Sequence, residues 1–595
     1  MNAELHGRIA AAQRRIHGLL RSSASAAGAW EGELSSSALS TATAVLALAT
    51  LDRQAEAQRI RRGLEWLATH ENADGGWGDT IRSESNLSTT ALVWAAFGAA
   101  AADADSALGP AAARAKAYLV RAAGSLDQLV PAIEARYGSD RTFSVPITMT
   151  LALSGRLGPD GWRRVRPLPF ELAALPRGFF GALRLPVVSY ALPALIAIGQ
   201  VIYHHRGGFY PLRKVTRRRT LAVLETLQPE NGGFLEATPL TSFVTMSLAG
   251  MGLGSHPVTQ RGAAFLRRSV RPDGSWPIDT NLSTWVTTLA IKAMAGAEEG
   301  LPAAQGTALR DWLLNQQYRV VHPYTGAPPG GWAWTDLPGG VPDADDTSGA
   351  LLALSVLPSM GADAALRSAV DSGVDWLLNL QNGDGGIPTF CRGWGTLPFD
   401  RSTPEITAHV LRAWQAWLPT LSPSRQASVA RATQGAMRYL KGSQRPDGAW
   451  VPLWFGNERA PQRENPVYGT AQVLTALVEP GLAGLPETGP MVSRAVTYLQ
   501  RAQEADGGWG GDTGVPSSVE ETAVVLGALA GIPHAAEAVT RGAEWLLRAW
   551  EAPVAPEPSP IGLYFAQLWY FEHLYPLVFS AEAFRRLSAE QRDEH

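Results

Sequence analysis

Gln503-Glu-Ala-Asp-Gly-Gly-Trp509 decides the fold, because the chain repeats it in variant form. The other copies are Glu71-Asn-Ala-Asp-Gly-Gly-Trp-Gly-Asp79, Gln228-Pro-Glu-Asn-Gly-Gly-Phe234, Arg271-Pro-Asp-Gly-Ser-Trp276, Gln381-Asn-Gly-Asp-Gly-Gly386 and Gln444-Arg-Pro-Asp-Gly-Ala-Trp450. Each follows one helical pattern and precedes another. Self-similarity at roughly 40 to 60 residues is the mark of stacked helix pairs. Asp-Gly-Gly supplies the positive-φ turn that ends a helix. The Gln amide can bond backbone groups at the next helix start, and the Trp can stack on the turn. Alternating strand patterns are nearly absent, so the expected class is all-α. The repeat geometry divides the chain into two helical barrels, over about 15–295 and 300–595, with residues 1–14 docking on the second.

Composition agrees. Of 595 residues, 46% are apolar and 18% charged, against about 25% charged in average usage, so there is much interior to fill. The net charge of −3 lacks the basic excess of a nucleic-acid binder. A single cysteine, Cys391, excludes an internal disulfide framework. The opening Met-Asn-Ala-Glu-Leu-His lacks the basic-then-apolar layout of a signal peptide, and a cytoplasmic location is expected. The stretch 185–203 carries no formal charge and is about long enough to span a bilayer. Its Pro186, Pro193, Ser189, Gly199 and Gln200 favour a buried barrel helix instead.

Chemistry concentrates in Val341-Pro-Asp-Ala-Asp-Asp-Thr-Ser-Gly349. A bare acidic string reads most simply as a solvated turn. Here Gly330-Gly-Trp-Ala-Trp334 precedes it and an uncharged helix-forming run follows from Thr347. Three carboxylates crowded at such a loop-to-helix junction repel one another, and burial would keep at least one protonated. A second charged cluster, Arg213-Lys-Val-Thr-Arg-Arg-Arg219, reads as a solvated helix face, with anionic lipid or a diphosphate as other partners.

With these residues in view, the sequence resembles the squalene–hopene cyclase family of class II terpene cyclases. The Gln/Asp-Gly-x-Trp repeats match, as do Pro342-Asp-Ala-Asp-Asp-Thr347, Pro404-Glu-Ile-Thr-Ala-His409, Asp447-Gly-Ala-Trp450, Tyr468-Gly-Thr470 and Tyr570-Phe-Glu-His-Leu-Tyr-Pro576. The resemblance implies two α/α (toroid) barrels with a large apolar cavity between them. It also implies proton-initiated cyclisation of squalene or a related linear isoprenoid, without metal or cofactor. The Asp-x-Asp-Asp form implies protonation of an unactivated alkene. Asp345 is then the general acid. Asp343 and Asp346 hold its geometry, and His409, as an imidazolium, stabilises the carboxylate left behind, with Asp400 and Glu405 supporting it. Aromatic faces attract cations. Trp334, Trp285 and Phe390 are the first candidates to face the carbocation, followed by Trp450, Trp454 and Tyr564.

Some positions depart from the family pattern. Thr150 stands where the family has a tryptophan, the loop 387–399 is short, 458–465 is inserted, and two aromatic positions read Pro560 and Leu568. The segment between Tyr203 and Glu225 is too short for the family's amphipathic membrane helix. The departures predict a different product or substrate, and weak or absent membrane docking. Alternatives are a class II cyclase of a prenyl diphosphate, which requires a Lys/Arg set and Mg²⁺, and a non-catalytic isoprenoid-binding barrel. A zinc site through Cys391, Asp400 and His409 leaves the acid motif unexplained. The partner in every main reading is an isoprenoid, with peripheral contact at the cytoplasmic membrane and a homodimer as further expectations.

Overall fold

Wherever a repeat turn carries the Gln or the Trp, that side chain makes the same bonds. In the computed structural model, which describes residues 3–593 except 101–107, 139, 209, 297–299, 359–362 and 564–567, Gln503 Nε2 donates to the carbonyls of Gly507 (2.8 Å) and Ala538 (2.9 Å). Trp509 Nε1 donates to Leu499 O at 2.7 Å, and Trp509 N donates to Thr522 Oγ1 at 2.9 Å. Gly507 sits at φ +96°, where a Cβ would meet the backbone of Arg541. One turn therefore ties the helix before it, the inner helix after it and the next outer helix. The Gln444 and Trp450 station repeats every one of these bonds.

Two stations are hidden in the sequence. Trp332 Nε1 donates to Leu313 O, and Gln317 Nε2 donates to Gly330 O and Ala369 O. Residues 318–329 separate that Gln from its Gly-Gly-Trp. Trp30 Nε1 likewise donates to Leu20 O, and its backbone N–H donates to Thr287 Oγ1.

Helices alternate between inner and outer positions. The inner ones, such as Ala38–Asp52, are buried almost all round. Outer ones, such as Ala57–Thr69, bury only the stripe Ile60, Gly63, Leu64, Trp66 and Leu67, as expected for a helix facing the core on one side. The N-terminal helix α1 (Ala3–Ser23) is an outer helix. The first ring is formed by α2 (Ala38–Asp52), α3 (Leu87–Ala100), α4 (Arg141–Leu153), α5 (Val188–Arg206) and α6 (Thr238–Ala249), each packed on the next and α6 back on α2. The second ring closes through α7 (Ser283–Met294), α8 (Ala344–Val356), α9 (Pro404–Trp417), α10 (Pro466–Leu477), α11 (Val519–Leu529) and α12 (Tyr575–Asp593).

The ring boundary differs from the expected one. Although α7 falls within the 15–295 span, it packs between α8 and α12, so it belongs to the second ring. Helix α1 packs on α12 and on the outer helix Ala536–Glu551, and the contact continues past residue 14, where Arg15 donates to Trp550 O. The 185–203 stretch forms most of α5 and is buried along Ser189, Tyr190, Leu192, Pro193 and Ile196–Ile202. Among the described residues, no helix is long and apolar enough to cross a membrane.

Strands are short. β1 (Ser36–Ser37) pairs antiparallel with β2 (Trp276–Pro277). β3 (Phe455–Asn457), β4 (Ile561–Leu563) and β5 (Leu568–Tyr570) form an antiparallel sheet in that order. The two rings join where Asp79 Oδ2 accepts the N–H of Trp569 (3.0 Å), Glu236 Oε1 accepts that of Gly339 (2.8 Å), and Tyr324 donates to Tyr190 O (2.7 Å).

Candidate active site

The acid stretch lies at one of the hidden stations. Thr347 Oγ1 accepts the N–H of Trp332 at 3.0 Å, as Thr522 does for Trp509. Asp343 caps α8: its Oδ1 accepts the N–H of Asp346 at 2.8 Å. Asp345 and Asp346 therefore occupy the first helical turn, where the positive end of the helix favours a carboxylate.

The register of the second ring explains what faces what. Five of its inner helices carry a threonine that accepts the N–H of a repeat turn: Thr287, Thr347, Thr407, Thr470 and Thr522. Two residues earlier stand Trp285, Asp345, Glu405, Tyr468 and Glu520. Two residues correspond to about 200° of helix rotation, so these side chains lie on the opposite side from the turns, toward the ring axis. The sixth inner helix starts with Tyr575. Trp285 Nε1 donates to Tyr575 Oη at 3.1 Å, and Tyr570 and Tyr575 hydroxyls pair at 3.1 Å.

His409 comes from the first half of α9, one turn after Glu405. Its Nδ1 lies 2.6 Å from Asp345 Oδ1, and the two side chains retain 12% and 19% of their accessible surface. Burial pushes the imidazole below its ordinary value. The Asp345 charge opposes this, while Lys292 and Arg412 add to it. The balance favours the neutral imidazole, with the Asp345 charge and then its hydrogen bond acting for the imidazolium. Burial also raises Asp343 to about 7, despite hydrogen bonds from Asp346, and raises Asp346 well above the carboxylate range, with the Asp343 charge as the next cause. Each of these two buried carboxyls thus resists ionisation while the other is charged. Asp346 Oδ1 is buried without a partner.

The aromatic candidates separate into groups. Trp285 meets His409 edge-to-face, with centroids 6.2 Å apart at 80°. Trp334 is its neighbour: the Trp334 carbonyl accepts the N–H groups of Thr284 and Trp285. Phe390 and Trp454 stand together, centroids 5.5 Å apart, in a cluster with Tyr190 and Phe399. Trp450 is fully buried in its repeat turn, with its indole N–H on Leu440 O. That makes it scaffold and not cavity lining. Tyr564 lies outside the described residues.

The two supporting acids bond elsewhere. Asp400 accepts the N–H groups of Trp394, Gly395 and Leu397 and so folds the short loop 392–400. Glu405 accepts from Leu453 N (3.0 Å), Trp454 N (3.4 Å) and Thr403 Oγ1, and burial raises it to about 7. It anchors the Trp454 segment beside Asp345. Cys391 donates to Phe399 O, so Cys391, Asp400 and His409 each have a different partner. Sequence reasoning alone does not bring Tyr468, Tyr570, Tyr575 and Glu520 to the site, although the three tyrosines lie inside the motifs named above. The signal for Tyr468 and Glu520 is the two-residue offset from the repeat threonine, which needs the fold to be seen.

Comparison with known proteins agrees with this architecture. Residues 13–206 match the squalene–hopene cyclase N-terminal domain and 281–587 the C-terminal domain. A terpene cyclase–glycosyl transferase fusion protein of Humicola fuscoatra is 29% identical over 50% of this chain, which spans 24% of that protein. A squalene hopane cyclase of Aspergillus fumigatus is 26% identical over 81% of this chain and 75% of its own length. The ent-copalyl diphosphate synthase structure from Streptomyces platensis shares the fold, with a TM-score of 0.58 over 97% of this chain and 99% of that one at 19% identity. With the C-terminal domain alone covering more than half of its length, the chain belongs to the squalene–hopene cyclase family.

Proposed function

We propose that the protein is a class II terpene cyclase that protonates a terminal alkene of a linear isoprenoid and guides the resulting carbocation to a polycyclic product. The observation that carries this is the 2.6 Å contact between Asp345 and His409 at the α8 N-terminus, walled by Trp285. His409 engages Oδ1, so Oδ2 of Asp345 delivers the proton to carbon. The carboxylate that remains is stabilised by His409 and by the helix N-terminus. Asp343 and Asp346, both raised by burial, bring less than their full charge to the acid. Trp285, Trp334, Phe390 and Trp454 then offer π-faces to the cation, each worth about 0.5 to 2 kcal/mol when desolvated.

The leading substrate is squalene or a similar hydrocarbon. Exposed apolar side chains stand on two segments of the first ring, Phe179 (49% exposed) and Leu183 on one, and Tyr210 (52%), Leu212 (62%) and Val215 (78%) on the other. Lys214, Arg218 and Arg219 are exposed beside them. Such a patch fits the headgroup region of an anionic bilayer, from which an insoluble hydrocarbon is drawn. The second reading is a prenyl diphosphate with Mg²⁺. It is favoured by Arg136 and Arg463, whose charges repel each other near Asp79 and Glu458, where the first ring meets the 458–465 insertion. A product assay decides between them. The protein is incubated with squalene or geranylgeranyl diphosphate, each with and without Mg²⁺, and products are read by mass spectrometry. A cyclic C30 product without metal supports the first reading. Cyclisation of the diphosphate alone supports the second.

A further inference from the structure

Beneath the ring of axis-facing residues lies a second layer. Seven residues, about two helical turns, below Trp285, Asp345, Glu405, Tyr468 and Glu520 stand Lys292, Leu352, Arg412, Thr475 and Gly527. The layer is cationic next to the acid. Arg412 is paired with Glu479 at 2.5 Å, and Glu582 of α12 binds Arg585 and Arg586 at 2.8 Å each. Lys292 has no ion-pair partner among the described residues. Its side chain reaches back toward the helix N-terminus, as helical side chains do, and places Nζ 6.0 Å from the Trp285 ring centroid. His409 packs against that same ring, and Asp345 is bonded to His409.

A lysine placed in a ring interior without a carboxylate is costly, and a methionine would fill the same space without that cost. The position makes sense if the charge serves the reaction. Resting on the reading of Asp345 as the acid, we propose that Lys292 is a positioning residue for proton transfer: held against Trp285, its fixed cation attracts the Asp345 carboxylate directly and so strengthens the acid. The charged groups facing Lys292 are Arg412 from α9, Glu582 and Arg586 from α12, and Asp345 from α8. Burial, then Arg412, lowers the ammonium to about 8, against the opposing effect of Glu582 and Asp345. The cation is therefore present below that pH and is lost as pH rises through it.

The test compares wild type, Lys292→Met, Lys292→Arg and Asp345→Asn across about pH 6 to 9.5, using squalene and geranylgeranyl diphosphate as probes. Lys292→Met should lose about tenfold or more in kcat, with KM changed less than about threefold. Lys292→Arg should keep kcat within about threefold and lack the decline near pH 8 that the proposal expects of wild type. A role in packing alone would leave kcat of folded Lys292→Met within about twofold of wild type, which overturns the proposal. So does an identical pH profile for wild type and Lys292→Arg, a comparison that stands even if the methionine variant does not fold. Product formation that survives Asp345→Asn overturns the acid assignment itself, a separate result from any change at Lys292.

Discussion

Thr347 holds Trp332 by accepting its backbone N–H at 3.0 Å, and the same hydroxyl donates to the Asp343 carbonyl at 2.5 Å. The side chain that closes a repeat turn thereby sets the start of the helix that carries the proposed acid. Scaffold and site share one hydrogen bond.

Thr347→Val should therefore reduce both stability and catalysis. Loss of a buried hydroxyl that serves as both acceptor and donor costs about 1 to 3 kcal/mol. Thr90 plays the corresponding part for Trp77 in the first ring. Thr90→Val should lower the melting temperature similarly while leaving kcat of the folded protein near wild type. Equal effects of the two variants on kcat would separate Thr347 from the site.

The melting temperature should fall as pH rises from about 6 to 8. Asp343, Glu405 and Glu572 are each raised to about 7 by burial. An acid whose folded value is raised is neutral and tolerated at low pH, and must ionise in a buried place as pH passes that value. Each tenfold change in an ionisation equilibrium corresponds to about 1.4 kcal/mol. Glu405→Gln should flatten the decline. A melting temperature that rises over this interval contradicts the sign.

Trp334→Ala should release products with fewer rings. The Trp334 carbonyl is a backbone group, so the bonds to Thr284 and Trp285 survive the substitution and the lost group is the π-face. Gas chromatography of the product mixture reads the outcome. An unchanged distribution at reduced rate would mean that Trp334 only packs.

Leu212→Asp with Val215→Asp should weaken sedimentation with anionic vesicles severalfold while leaving turnover of detergent-dispersed substrate unchanged, since both side chains are exposed on the outer helix Pro211–Leu227. Undiminished sedimentation would remove this patch as the lipid contact.

The fold was legible because its grammar is local. A Gln, a positive-φ glycine and a Trp within seven residues specify one turn. Stations at Trp30 and Trp332 were not, because the first lacks the Gln signature and the second has residues 318–329 between its Gln and its Gly-Gly, where the ordinary repeat has only 504–506. The membership of α7 in the second ring depends on packing against α8 and α12, which leaves no mark on helix sequence. At the site, Asp345 and His409 stand out in the sequence as motif residues. Trp450 has the same composition signal as a cavity aromatic, and only its buried hydrogen bond to Leu440 assigns it to the scaffold. Lys292 lies in an unremarkable helix and gains meaning only from the layer it joins.

The most direct test of the central claim is turnover by Asp345→Asn on the substrate that wild type cyclises, with circular dichroism confirming the fold. Asparagine keeps the shape and removes the acidic proton. Removal of a general acid costs about 10²- to 10⁴-fold, and here the reaction cannot start without it, so product should fall by at least about 10³-fold with helicity and melting behaviour retained. A folded Asp345→Asn protein that still forms cyclic product near the wild-type rate would contradict the assignment.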